Sequence, residues 1–150
     1  MEWIEEMLRE EEIEEYLTVE DVKRVYQRLV EVARAMKITF YSKVMEVANL
    51  SMDNAYEREQ VLGKMLGGMS KYTYEKYGIF ISSLVVRKPN LETNTISIPS
   101  DGFFRLLEGY GYNFATQIDK MSIWLNELRK VWKFFSKDKG VMSNEVSNRR

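Results

Sequence analysis

Between Glu20 and Gly102 the hydrophobic pattern changes period several times in a fixed order, and that order leaves few folds open. Val22, Val25, Tyr26, Leu29, Val32, Ala33 and Met36 recur at three- and four-residue steps, which predicts an amphipathic helix over Val19 to Met36. Thr18 followed by Asp21 forms a capping-box variant that starts it, because the hydroxyl and the carboxylate each take an unpaired backbone N–H. Ile38-Thr39-Phe40 reads as a short strand. Val44, Val47 and Leu50 then restore the helical step over Tyr41 to Leu50, with Thr39 as the expected N-cap. After the Ser51-Met52-Asp53-Asn54 turn, Leu62, Met65, Leu66, Met69 and Tyr72 mark the inward face of a longer helix from Asn54 to about Tyr77, closed by Gly78 as a left-handed C-cap. Phe80 to Arg87 is rich in strand formers. Pro89 and Asn90 stop that strand, and the alternation of Ile96 and Ile98 with Ser97 predicts a return strand over Thr95 to Pro99.

The flanks differ in charge. Residues 1 to 21 hold nine Glu, one Asp and one Arg, a net −9, whereas the remainder carries +8 within a total of −1. Trp3, Ile4, Met7 and Leu8 fall at helical spacing, so residues 1–17 read as an acidic helical arm that needs a partner surface, its crowded carboxylates repelling one another. Such an arm could compete with a polyanion for the basic body. At the other end, 114–139 reads as an amphipathic helix. Its stripe of Met121, Trp124, Leu125, Leu128, Trp132 and Phe135 either folds back on the core or pairs with a second copy. Residues 140–150 read as a disordered polar tail. Gly63, Gly67 and Gly68 cost the long helix on the order of 1 kcal/mol each relative to alanine, for which close packing against another backbone is the expected compensation. The Gly-x-x-x-x-Gly-Lys-Ser/Thr order of a phosphate loop is absent.

Ile38-Thr39-Phe40-Tyr41, Leu62-Gly63-Lys64-Met65-Leu66, Ser70-Lys71-Tyr72, Gly78, Ser82-Ser83-Leu84-Val85-Val86 and Pro99-Ser100-Asp101-Gly102-Phe103-Phe104 together carry a resemblance. The element order resembles the winged helix-turn-helix, and Ile38 to Phe104 is similar to a recurrent winged-helix-like domain of bacterial and phage proteins. That family pattern closes on a compact Pro-Gly-x-Gly-Phe-Phe; here Ser100 replaces the first glycine and the loop before Ile96 is longer. The resemblance implies a mostly helical α+β fold, with a winged helix-like core over 18–113 and extra N- and C-terminal helices. It also implies that the second helix of the pair, aided by the wing, enters a DNA groove.

The chemistry on offer is narrow. With neither histidine nor cysteine, imidazole acid–base catalysis, thiolate nucleophiles and thiolate zinc sites are all excluded. No catalytic residue, metal site or cofactor is expected. Glu57 and Glu59, two residues apart on a helix, point in different directions and read as a solvated face. For duplex DNA, Lys43, Lys64, Lys71, Arg87 and Lys88 would neutralise phosphate, Asn54, Arg58 and Gln60 could reach base edges, and Tyr41, Ser42 and Asn94 complete the set from the first helix and the hairpin tip. Tyr72, Tyr74 and Tyr77 read as core or interface rings. The alternative partner is a protein, with the chain acting as an interaction module, for instance a phage-type protein docking on or inhibiting a host or defence protein. A third contact is a second copy through Trp124, Leu125, Leu128, Trp132 and Phe135. An acidic first segment and the lack of any apolar run near the roughly 20 residues of a membrane span point to a cytoplasmic location without membrane contact.

Overall fold

The computed structural model describes residues 2–92 and 96–137. Within them run α1 (Glu2–Glu10), α2 (Val19–Arg34), β1 (Thr39–Phe40), α3 (Tyr41–Ala48), α4 (Ala55–Tyr77), a 3₁₀ turn (Ile81–Leu84), β2 (Val85–Val86), α5 (Asp101–Gly109) and α6 (Gln117–Lys137). The architecture is mostly helical α+β. Asn94, Thr95 and the expected tail 140–150 lie outside the described residues.

Local signals set most helix ends. Thr18 N donates to Asp21 Oδ2 at 3.0 Å and Asp21 N to Thr18 Oγ1 at 3.1 Å, so the capping box is complete. Asn54 Oδ1 accepts from Glu57 N at 3.0 Å to open α4, and Gly78 closes it with φ 74°. The start of α3 departs from expectation. Its N-cap is Phe40 with no side-chain cap bond, because Thr39 belongs to the sheet, opposite Val85.

The strand expected over Phe80 to Arg87 is largely replaced by a different arrangement. Residues 81–84 form a 3₁₀ turn because hydroxyls on α4 and in the turn itself capture their backbone, an alternative to a strand ladder. Ser70 Oγ accepts from Ser82 N at 2.9 Å, Thr73 Oγ1 accepts from Ile81 N at 3.3 Å and donates to Ile79 O at 2.8 Å, and Ser83 Oγ donates to Phe80 O at 2.7 Å. What remains extended, Val85–Val86, pairs in parallel with β1, Thr39 opposite Val85 and Phe40 opposite Val86. The chain just after β2 meets the return segment through a backbone bond from Arg87 N to Ile98 O at 3.0 Å, with Ile98 buried.

One core joins all the helices. Its centre holds Leu29, Met65, Met69, Phe80, Leu84 and Leu107, and the acidic N-terminal segment contributes Ile4, Met7, Leu8, Ile13 and Leu17, all buried. The partner surface that the acidic arm 1–17 was expected to need is thus the body itself, α2 and α4. The carboxylates of Glu2, Glu5, Glu6 and Glu10 turn to solvent, which relieves their crowding and leaves the apolar stripe free to pack on α2 and α4. Trp3 stacks on Tyr72 with centroids 4.0 Å apart and planes 6° from parallel. Gly68 permits this crossing: a Cβ there would stand 2.8 Å from Met7 Sδ and closer still to Met7 Cγ. Gly63 and Gly67 have no such neighbour, so close packing explains one glycine of the three.

The stripe of α6 faces inward as well. Trp124, Leu128 and Phe135 are 7%, 2% and 1% exposed, Leu125 and Trp132 are half-buried against the same core, and α6 packs on α2 and the 3₁₀ turn. Trp124 Nε1 donates to Ser83 O and Trp132 Nε1 to Lys37 O, each at 2.9 Å. The five residues expected as a dimer interface thus serve the chain's own core, because α2 and the 3₁₀ turn already offer the apolar surface that a second copy would have supplied. Leu128→Glu is expected to cost more than about 3 kcal/mol by burying an unpaired charge. A thermal melt would show the loss, and light scattering at high concentration should find wild type monomeric; a dimer that the variant splits into folded monomers would contradict it.

Candidate nucleic-acid interface

α4 crosses the molecule with one face of its 58–67 stretch, that of Arg58, Glu59, Gln60, Gly63, Lys64 and Gly67, turned outward between two walls, while Val61 and Met65 face the core. One wall is Phe40 and the first turn of α3; the other is the chain after β2 together with Ser100 and α5. Tyr41 ties the walls. Its hydroxyl accepts from Ser100 N at 2.8 Å and donates to Ser100 Oγ at 3.2 Å, fixing the start of α5 against the start of α3. Burial raises the Tyr41 phenol above its ordinary value, and the two hydrogen bonds with Ser100 pull the other way.

The groove so formed encloses about 1000 Å³. Arg58, Lys64 and Lys71 reach it from α4, Arg87 and Lys88 from the chain after β2, and Arg105 from α5, against three carboxylates, Glu11, Glu59 and Asp101. Lys64, Arg87, Lys88 and Arg105 are exposed, and none of the four is ion-paired among the described residues. Lys88 Nζ stands 6.0 Å from the Phe40 ring centroid. On the floor, Gly63 and Gly67 leave the α4 backbone open, since a Cβ at either would meet nothing within 4 Å.

Eight of the eleven residues expected at a DNA surface line this one groove: Tyr41, Ser42, Arg58, Gln60, Lys64, Lys71, Arg87 and Lys88. Three differ. Lys43 faces a separate small cleft beside Arg28 and Val47, Asn94 lies outside the described residues, and the Asn54 carbonyl oxygen is used in capping α4. Arg58 is present but engaged, donating from Nη1 to Met52 O at 2.6 Å and to Asp53 O at 3.3 Å, so its guanidinium is less available than expected from the sequence. Tyr41 acts as a strut. Arg105 is not among the residues expected from the sequence; its position off the apolar face formed by Phe103, Phe104 and Leu107 was the available signal.

The described residues contain no group of three or more Asp or Glu able to hold a metal ion, and none of their helices is long and apolar enough to cross a membrane. Comparison with protein-family models, with curated proteins and with solved structures finds no significant match for this chain.

Proposed function

We propose that this chain is a non-catalytic, cytoplasmic DNA-binding protein, a regulator or accessory factor that holds duplex DNA against the α4 groove in the manner of a winged helix-like domain. One observation carries the reading: cations from three separate parts of the chain converge on a single concave surface, and four of them make no ion pair among the described residues. Phosphate is the group that such an arrangement neutralises, each contact releasing a condensed counterion. Lys64, Arg87, Lys88 and Arg105 supply that neutralisation, and Gln60, exposed beside them, is the residue best placed to read a base edge.

Titration of duplex DNA at several salt concentrations tests this directly. Four phosphate contacts give a log–log slope of about −3.6, at about 0.9 per phosphate, and replacing Arg87 and Lys88 by Gln should bring the slope to about −1.8. Absence of binding at low salt by folded protein removes the reading. A second reading rests on the half-buried apolar side chains of Phe40, Met45 and Leu106 in the same groove, which suit the apolar face of an acidic amphipathic helix. Such a protein partner would bind with a much weaker salt dependence.

A further inference from the structure

The groove holds one carboxylate that touches one of its own cations. α1 crosses α4 at Gly68, and the chain leaving α1 lies so close there that Glu11 Cγ is 3.1 Å from the point a Gly68 Cβ would occupy. This crossing aims the Glu11 side chain along α4, where its Oε2 meets Lys71 Nζ at 3.1 Å, three residues on from Gly68. The Glu11 side chain is 18% exposed, against 50% for Lys71, so the carboxylate is held by packing while the ammonium stays accessible. Glu59 and Asp101 also line the groove, and neither makes an ion pair among the described residues.

We infer that Glu11 is a built-in competitor for the phosphate backbone, an intramolecular anion that occupies Lys71 and sets the groove's affinity below what its cations could reach. The inference rests on the DNA-binding reading of the same groove. A phosphodiester reaching this end must displace the carboxylate from Lys71 and lie beside its charge, which costs most for ligands held by charge alone. Ligands that also engage Gln60 and the rest of the groove are penalised by a smaller share of their affinity. Glu11 thereby acts on selectivity as well as on strength.

The test is a charge-matched set of full-length variants titrated with one duplex over a range of salt. Glu11→Gln keeps the shape and removes the charge; it is expected to tighten binding about two- to fivefold at low salt and to steepen the log–log slope by about 0.9 as Lys71 takes up a phosphate. Lys71→Gln in the wild-type background should change affinity less than twofold, and combined with Glu11→Gln it should abolish the gain, a non-additivity that only a direct pair produces. Glu14→Gln, an equal charge change at an exposed residue outside the groove, should leave affinity and slope unchanged. Thermal melts keep loss of fold separate from loss of binding. A wild type that binds, with Glu11→Gln matching it in affinity and slope, overturns the competitor and leaves the DNA reading standing. An equal gain from Glu14→Gln overturns it too, assigning the effect to net charge. If no folded variant binds duplex at low salt, both fall together.

Discussion

Deletion of residues 1–17 is expected to unfold the domain. Ile4, Met7, Leu8, Ile13 and Leu17 are each no more than 5% exposed. At about 1.5–3 kcal/mol for each fully buried side chain of this kind, their removal forfeits roughly 7–15 kcal/mol, the size of a whole domain's stability. Trp3, stacked on Tyr72 and edge-on to Tyr26 at 5.3 Å, adds to that loss. Far-ultraviolet circular dichroism and a thermal melt of the truncated chain should show lost helix and no cooperative transition. A truncated chain that melts cooperatively near the wild-type temperature would return the segment to the status of an appended arm. Because truncation is expected to remove the fold, the acidic residues have to be studied one at a time in the intact chain.

Filling the floor of the groove is expected to separate stability from binding. Alanine at both Gly63 and Gly67 should stabilise the protein by about 1–2 kcal/mol, since each glycine costs a helix interior roughly 0.5–1 kcal/mol and neither position meets a neighbour. Leucine at both should remain folded and lower affinity for duplex DNA by more than about tenfold, because the side chains stand where the ligand backbone must approach; one factor of ten is about 1.4 kcal/mol. Gly68→Leu is the contrasting substitution, driven into Met7 and expected to destabilise without touching the open floor. Melts together with titrations at one salt concentration distinguish the three. Full affinity in the Gly63→Leu, Gly67→Leu variant would mean that the ligand contacts the rim alone or does not use this groove.

What could be read from the sequence is what short-range chemistry decides. Thr18 with Asp21, Gly78 with its left-handed backbone, and the three- and four-residue spacing of α2, α4 and α6 are each settled within a few residues, and they appear where expected. Errors came where a partner distant in sequence decided the outcome. Phe80 to Val86 has the composition of a strand, yet Ser70 and Thr73 on the preceding helix turn its middle into a 3₁₀ turn. The apolar stripe of α1 announces that the segment needs a partner surface but not which one, since its contact with Tyr72 lies some seventy residues on. Much of the candidate groove was legible as composition, since long cations off the apolar stripes must be outside. That α5 would bring Arg105 to the same surface depended on the Tyr41–Ser100 tie, which spans 59 residues.

The parallel pairing of β1 with β2 bears on how this molecule comes into being. Two-residue strands are too short to persist alone, and these two meet only after the intervening chain has looped back to place Thr39 beside Val85. Trp132 donating to Lys37 closes a far longer circuit, 95 residues. Closing such loops costs entropy before any contact compensates, so folding should run slower than for a helical bundle with near-neighbour contacts. Individual helices can form and dissolve in about a microsecond, while the native arrangement appears only once the segments around residues 37 and 132 have found each other.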